Sequence, residues 1–272
     1  MQWYRYGLFA ANTTASSEGT VGTGLPLSSS TITATISEYS DFISISKLLK
    51  NTAIDDIMAS ASRELGYRAG LTADTITRIE FDANVASVGV NTMGGAFAAN
   101  DIRKTVMLLE GSDVRPMKGN DFVAVMHPYV LYDLESDNTA GGFIDVMQYA
   151  NPSHLLQGGT QMDGEAGKIA GCRILKSTNV GSTGSAPSTR YYVYIVGEGA
   201  VGTVNLAGSE PSSVTNPDSQ AFSINTIPGG PGPADPEGMI GGWVSYYFTF
   251  VAKTLDSTTY RYKIVLADST II

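Results

Sequence analysis

The residues that could do chemistry begin with a glycine-rich turn. Residues 197–202 read GEGAVG, a literal GxGxxG motif directly after a predicted strand. In a dinucleotide site this motif opens a helix, whose first amide groups bind the pyrophosphate. Here the following residues, TVNLAGSEPSSVTNP, break a helix within a few positions. The motif therefore favours a plain turn, and a nucleotide-binding enzyme is kept as an alternative hypothesis.

A second possibility is a metal or acid–base site. The sequence holds two histidines, His127 and His154, and one cysteine, Cys172. With carboxylates such as Asp163 or Glu165 these residues could in principle bind a metal ion. However, no pair shows ligand spacing such as HxxxH or CxxC. We therefore predict no catalytic residue, no cofactor and no metal site.

The composition limits the class of protein. Charged residues make up only 16% of the 272 residues, against about 25% in typical proteins. So few charges fit a hydroxyl-rich secreted protein or one whose surface is largely covered by neighbours. The net charge of -9 argues against a dedicated nucleic-acid binder. We expect no signal peptide behind MQWYRY, and no apolar stretch approaches the roughly 20 residues that cross a bilayer.

Residues 3–46 predict a long hairpin. Residues 3–9 are aromatic and apolar, as in a strand, and Glu18 is the only charge between Ala10 and Ser37. From residue 31 apolar and hydroxyl residues alternate strictly, which predicts a half-exposed strand. Its apolar face holds Ile32, Ala34 and Ile36. The phase then slips, which predicts a bulge or bend near residues 38–40.

A dominant helix is predicted next. Thr52, with Asp55 three residues on, resembles a capping box, and the apolar spacing continues to about Asp82. Gly66 and Gly70 would share a face, where they could admit a close neighbour or permit a slight bend. The predicted inner face comprises Ile54, Ile57, Met58, Ala61, Leu65, Ala69, Ala73, Ile76 and Ile79.

The rest of the chain mixes strands and helices, so the predicted fold class is α+β. A helix over 100–110 has Ile102, Val106 and Leu109 inward, and a helix after His127 has Val130, Leu131 and Leu134 inward. Residues 207–242 hold six of the eleven prolines, which predicts a loop. The predicted strands are 121–126, 167–177, 190–196, and a closing aromatic hairpin of 243–252 and 258–267 around Asp256-Ser257.

This order of elements resembles the Hong Kong 97 type capsid fold of tailed bacteriophages. The local sequence is similar to the major capsid family typified by podophage N4. Coverage is good from 31 to 179 and thinner afterwards, where the GWVSYYFTF strand contributes. The similar segments are TITATISEYSDFISIS (31–46), AIDDIMASASRELGYRAGLTADT (53–75), NDIRKTVMLLE (100–110), DFVAVMHPYVLYDLESD (121–137) and GEAGKIAGCRILKSTN (164–179).

The resemblance implies a domain plan. Residues 1–48 would be the extended hairpin loop, or E-loop. Residues 49–98 and 243–272 would be the peripheral domain, with the spine helix and a terminal β-hairpin, and residues 99–242 the axial domain. Members of the family usually carry an arm before the first hairpin strand, whereas this sequence starts almost on that strand. The spine-helix core would comprise Ile54, Ile57, Met58, Ala61, Leu65 and Ile76.

The resemblance also implies a function. Copies would self-assemble into hexamers and pentamers of an icosahedral head around double-stranded DNA, assembled in the host cytoplasm. Portal, scaffold or decoration proteins would be further partners, the DNA contact would be non-specific, and no membrane would be involved. A β-rich tail or adhesin protein is the first alternative. The expected inter-subunit contacts are Glu18, Val21, Leu25, Leu27, Ile32 and Ile36.

Overall fold

The computed structural model describes residues 1–6, 9, 11–15, 18–19, 21, 24–85, 91–117, 121–137, 164–184, 189–204, 223–231, 235–256 and 260–268. These residues form four helices: α1 Lys47–Thr52, α2 Ile57–Asp82, α3 Ala99–Glu110 and α4 Pro128–Ser136. They also form thirteen strands: β1 Gln2–Tyr6, β2 Ser29–Thr33, β3 Ser37–Ser46, β4 Asn91–Ala96, β5 Phe122–Met126, β6 Glu165–Ile169, β7 Cys172–Lys176, β8 Ser182–Thr183, β9 Arg190–Val196, β10 Val201–Val204, β11 Ser223–Pro228, β12 Ile240–Thr254 and β13 Tyr262–Asp268.

The strands form three sheets. β1 and β2 pair antiparallel as a separate two-stranded sheet. The long strand β12 pairs antiparallel with β3, β10 and β11. A seven-stranded mixed sheet has the order β4-β13-β9-β5-β7-β6, with β8 on β9. The prediction of an α+β fold with one dominant helix is confirmed by this arrangement.

The closing hairpin is a wrong prediction. β12 lies in the four-stranded sheet, whereas β13 pairs antiparallel with β9 and parallel with β4 in the seven-stranded sheet. The two aromatic segments are both strands, but they belong to different cores. Periodicity identifies a strand and carries no information about its partner, so adjacency in sequence was a poor guide here.

Two further predictions need correction. Residues 167–177 are two strands, β6 and β7, which turn at Ala170 and Gly171; both have positive φ. The region 207–242 contains β11 and the first residues of β12, so its described part is not all loop. Residues 207–222 and 232–234 of that region lie outside the described residues.

The dominant helix is present but starts later than predicted. Thr52 ends the short helix α1, where its hydroxyl donates to the Leu48 carbonyl at 2.8 Å. Asp56 is the N-cap of α2, and its carboxylate accepts from the amides of Met58 and Ala59. Ile54 therefore lies outside the helix and is fully exposed, which contradicts its place in the spine core. At 1.5 Å per residue, the 26 residues of α2 span about 39 Å.

The inner face of α2 packs on the sheet around β12. Leu65 and Ala69 are buried against Ile45, Val244 and other residues of this sheet. Ile57, Met58, Ala61 and Ala73 are half-buried members of the same core, and Ile76 is half-buried. Ile79 is more than half exposed, so its predicted inward position is wrong. A Cβ on Gly66 would meet Ile224 of β11 at 3.1 Å, whereas one on Gly70 would meet open space.

The C-terminal half of α2 is attached to both sheets. The Tyr194 hydroxyl of β9 donates to the Asp82 carboxylate at 2.6 Å. Burial, with this bond, raises the pKa of Tyr194. On the other side, the Glu80 carboxylate accepts from the Thr254 amide at 3.0 Å and pairs with Lys253 at 3.1 Å. These contacts join the two cores into one framework.

The second core lies between the seven-stranded sheet and helices α3 and α4. The predicted inward residues Ile102, Val106 and Leu109 of α3 are buried here, as are Val130, Leu131 and Leu134 of α4. The Asp121 carboxylate beside this core is buried and paired with Lys168 at 2.6 Å and Arg173 at 3.3 Å. The predictions of a helix over 100–110 and of a helix after His127 are both confirmed.

The reactivity of the Cys172 thiol shows whether solvent and reagents reach this core. Cys172 is fully buried, and burial together with the nearby Asp121 charge raises its pKa to about 12. At pH 8 its thiolate fraction is then about a thousandfold below that of a thiol of pKa 9.0. We expect a neutral thiol reagent to label the native subunit at least a thousandfold more slowly than the urea-unfolded chain. Comparable labelling rates would mean that this core is open.

His127 provides a test of pH dependence. Its Nδ1 caps α4 by accepting from the Tyr129 amide at 3.2 Å, and its ring stacks on Tyr191. Burial lowers the His127 pKa below 6.5, so the unfolded chain takes up the proton first and stability falls as pH drops below 6.5. We expect urea unfolding to show a larger loss of stability between about pH 7.5 and about pH 5.5 than in His127→Asn, which keeps a cap without titrating. Equal losses would contradict this role.

Candidate inter-subunit surface

The hairpin predicted from residues 3–46 is confirmed at its base. β1 and β2 pair in a register that places Trp3 opposite Ile32 and Tyr6 opposite Ser29. Ile32 and Ile36 are half-buried, Ala34 is buried, and the hydroxyl residues between them are exposed. The break between strands falls at residues 34–36, rather than as a bulge near 38–40. Strand alternation therefore decides which face of the hairpin lies toward the body of the subunit.

A buried carboxylate anchors the hairpin. Asp256 follows β12, and its oxygens contact Arg5 of β1 at 2.7 Å and Arg261 at 3.7 Å. The Asp256 side chain is almost completely buried, whereas the two arginines are about one-third exposed. Charge-assisted bonds of this kind are the stronger class of hydrogen bond. The ion pairs fix the base of the hairpin on the body of the subunit.

The last glycine of the GxGxxG motif, Gly202, packs against the base of the hairpin. Gly199 has φ of +70° in a tight turn, and β10 begins at Val201, so a strand follows the motif where a dinucleotide site needs a helix. A Cβ on Gly202 would meet Leu255 at 2.8 Å and the Trp3 indole at 3.2 Å. A Cβ on Gly197 would meet Val114 at 2.6 Å. Close packing of strands and of the hairpin base accounts for the glycines.

The other chemical candidates are dispersed. Cys172 pairs with Phe122 in the β5–β7 register, and His127 lies five residues beyond Phe122, a separation on the order of 16 Å along the strands. Glu165 lies at the start of β6, opposite Leu175. His154 and Asp163 lie outside the described residues. Within the described ranges, no three His, Cys, Asp or Glu side chains gather as metal ligands would.

The distal part of the hairpin has exposed apolar side chains. Val21 is 97% exposed, Leu25 72% and Leu27 61%, and Glu18 is also exposed. Tyr4, Tyr6 and Phe9 are more than half exposed. Several large exposed apolar groups on one element are typical of a protein–protein contact. Four predicted contact residues thus lie on the surface, whereas Ile32 and Ile36 are half-buried toward their own subunit.

Sequence reasoning missed the anchor. Arg5 and Asp256 are 251 positions apart, and no local pattern connects them. The short helix α1 was also missed, because the predicted helix begins only at Thr52, which is the last residue of α1. Ser46, which caps α1 by accepting from the Leu49 amide at 3.2 Å, was the available signal.

The anchor gives a stability prediction. Asp256→Asn removes a buried charge from two arginines that water can still reach, so we expect a loss of about 1–3 kcal/mol in the free energy of unfolding. Asp268→Asn is the matched control, since the Arg190–Asp268 pair is over one-third exposed and should contribute under about 1 kcal/mol. Urea unfolding measures both, and equal losses would contradict the anchor.

Comparison by sequence matches no protein-family model and no curated protein. Comparison by structure identifies the fold as that of phage capsid proteins. The chain is similar to the capsid of Ralstonia phage GP4, with a TM-score of 0.69 at 11% identity over 99% of this chain and 83% of that one. It is similar to the capsid of cyanophage P-SCSP1u, with a TM-score of 0.65 at 14% identity over 99% and 84%.

The same fold extends beyond phages. The chain is similar to the SrpI encapsulin from Synechococcus elongatus, with a TM-score of 0.58 at 11% identity over 90% of this chain and 79% of that one. In the described part of the chain, no helix is both long and apolar enough to cross a membrane.

Proposed function

We propose that this chain is the major capsid protein of a tailed bacteriophage. Copies self-assemble into hexamers and pentamers, which form an icosahedral head around double-stranded DNA. The observation that carries the proposal is the capsid-protein fold over nearly the whole chain, together with the exposed apolar side chains of Val21, Leu25 and Leu27 in the hairpin. The protein would be assembled in the host cytoplasm and become part of the virion.

The domain plan follows the Hong Kong 97 type. Residues 1–48 form the E-loop, residues 49–98 and 243–272 the peripheral domain, and residues 99–242 the axial domain. The packing of α2 on β12 supports the peripheral domain. β13 lies in the range of the peripheral domain. However, it pairs with β9, a strand of the axial domain in this plan.

Assembly depends on contacts between folded subunits. The anchored hairpin reaches a neighbouring subunit and orders its tip there, while α2 and the two cores supply rigid contacts. The low charged fraction of 16% fits a subunit whose surface is largely covered by copies of itself. The net charge of -9 fits DNA contacts that are few and non-specific. Portal, scaffold or decoration proteins would bind the assembled shell.

A size measurement tests the proposal. We expect sedimentation of the purified protein to give closed particles of megadalton mass, with nuclease-protected double-stranded DNA in heads from infected cells. The similarity to an encapsulin makes an encapsulin-like shell the second candidate, and nuclease-protected double-stranded DNA inside the particles would favour the phage head. A monomer or a fibre would favour the tail or adhesin alternative, and calorimetric binding of NAD or ATP would favour the nucleotide-binding enzyme.

A further inference from the structure

The short helix α1 has an uncovered apolar surface. None of its residues is buried, Leu48 is 75% exposed, and Ile54 is fully exposed just beyond its end. Met239 is 67% exposed and lies beside α1, because its carbonyl accepts from the Lys47 amide at 2.7 Å. A six-residue helix has little stability of its own. We call Leu48, Leu49, Ile54 and Met239 the α1 patch.

The charge beside the α1 patch is suited to a carboxylate. Lys47 and Lys50 both lie on α1, and Lys50 already donates to the Gly241 carbonyl at 3.1 Å. The nearby acids Asp56 and Asp235 are engaged as acceptors of backbone amides. Asp55 is exposed beside Ile54, at the other end of the patch. Lys47 is therefore the cation with the most freedom to pair with a partner.

The exposed residues Glu18, Val21, Leu25 and Leu27, here called the hairpin tip, complement the α1 patch in charge and apolar character. Val21, Leu25 and Leu27 are its exposed apolar side chains, and Glu18 is the only charge between residues 10 and 37. The tip thus combines uncovered apolar groups with one negative charge, whereas the α1 patch combines them with Lys47 and Lys50 at one end and Asp55 at the other. Complementary potentials of this kind set the register and specificity of an interface.

The two surfaces are uncovered within one chain. After the hairpin the chain runs along β3, whose ten residues carry it about 33 Å before α1 begins. The tip and the α1 patch are both exposed, so neither covers the other in the single subunit. A second copy can supply each missing partner.

We propose that the hairpin tip of one copy binds the α1 patch of the next copy, with Glu18 paired to Lys47. The inference rests on the proposed function and names the receiving surface of its hairpin. Because the tip and the patch are different surfaces, the contact is head-to-tail. Such contacts form a closed ring when the rotation between copies closes, and a hexamer or pentamer requires this.

A charge exchange in the full chain tests the pairing. Glu18→Lys places two cations together, so we expect the yield of closed particles to fall about tenfold or more. Lys47→Glu should fall similarly, although an acid in the first helical turn is compatible with α1. The double variant, with Glu18→Lys and Lys47→Glu, should recover most of the particles. Glu135→Lys, the same charge change at an exposed position of α4, should assemble normally.

Disulfide trapping gives an independent readout. With Leu25→Cys and Leu48→Cys in one chain, oxidised glutathione should link copies into a ladder that ends at the ring size on a non-reducing gel. Cys172 is buried, so it does not compete. The proposed receiving surface is wrong, and the proposed function stands, if wild-type protein forms particles while the charge-exchange double variant forms none and the cysteine variant gives no ladder. If wild-type protein never forms closed particles, both are overturned.

Discussion

Deleting residues 14–28 and closing the gap with two glycines should leave a folded subunit that forms no closed particles. The deletion removes Glu18, Val21, Leu25 and Leu27 and spares the paired strands β1 and β2. The anchor at Asp256 also remains, since Arg5 lies outside the deleted segment. We therefore expect near-normal circular dichroism from the isolated subunit and a complete loss of megadalton particles.

The physical reason is that the free-energy cost of ordering the tip is offset only when its apolar side chains are buried against a neighbour. Ordering each backbone residue costs about 1–2 kcal/mol, and the tip has too few sizeable apolar groups to offset that cost alone. Against a neighbour, burying Leu25 and Leu27 would contribute about 1.5–3 kcal/mol each. The gain recurs at every subunit, so a modest contact decides whether a shell forms.

Limited proteolysis is the companion measurement for the tip. A protease should cut the free subunit within residues 12–30 and spare the assembled form, because assembly covers the segment. Normal shells from the deletion variant would contradict the role of the hairpin in assembly. So would equal cleavage of the free and assembled forms.

The second large effect is expected on the inner face of the long helix α2. Leu65 is 1% exposed in the core between α2 and β12. Leu65→Asp would bury an unpaired carboxylate and lose the leucine packing, so we expect a loss of several kcal/mol in the free energy of unfolding. The variant should be insoluble or unable to assemble. Solubility on expression and urea unfolding measure the effect.

The matched control lies on the other face of the same helix. Leu71 is 47% exposed, so Leu71→Asp should change subunit stability by no more than about 0.5 kcal/mol. Ile57→Asp and Ile76→Asp should fall between the two, because both side chains are half-buried. A soluble, assembling Leu65→Asp protein would mean that this face of α2 carries no core.

Local patterns predicted the elements that depend on local physics. The apolar spacing of α3 and α4 gave their inward residues, because a helix face is set by sequence neighbours three and four apart. Alternation likewise gave the buried face of Ile32 and Ala34. The start of α2 was misplaced because Thr52 and Asp56 are both acceptable caps, and only the tertiary structure shows which one is used.

Long-range pairing could not be predicted in the same way. β12 and β13 both contain aromatic and β-branched residues, and their assignment to different sheets depends on partners far along the chain. The Arg5–Asp256 anchor has the same origin. The glycines of 197–202 matched a nucleotide motif by spacing, whereas packing around Trp3 and Val114 accounts for Gly202 and Gly197. The exposed residues of the tip could be predicted because the segment lacks a core of its own.

Electron microscopy of the purified full-length protein tests the central claim most directly. We expect closed, uniform particles with icosahedral symmetry, in which class averages resolve hexameric and pentameric units. Their subunits should fit the fold described here, with the hairpin of each copy lying over its neighbour. Monomers, open filaments or amorphous aggregates under conditions where the chain is folded would contradict the proposal that this protein builds a capsid.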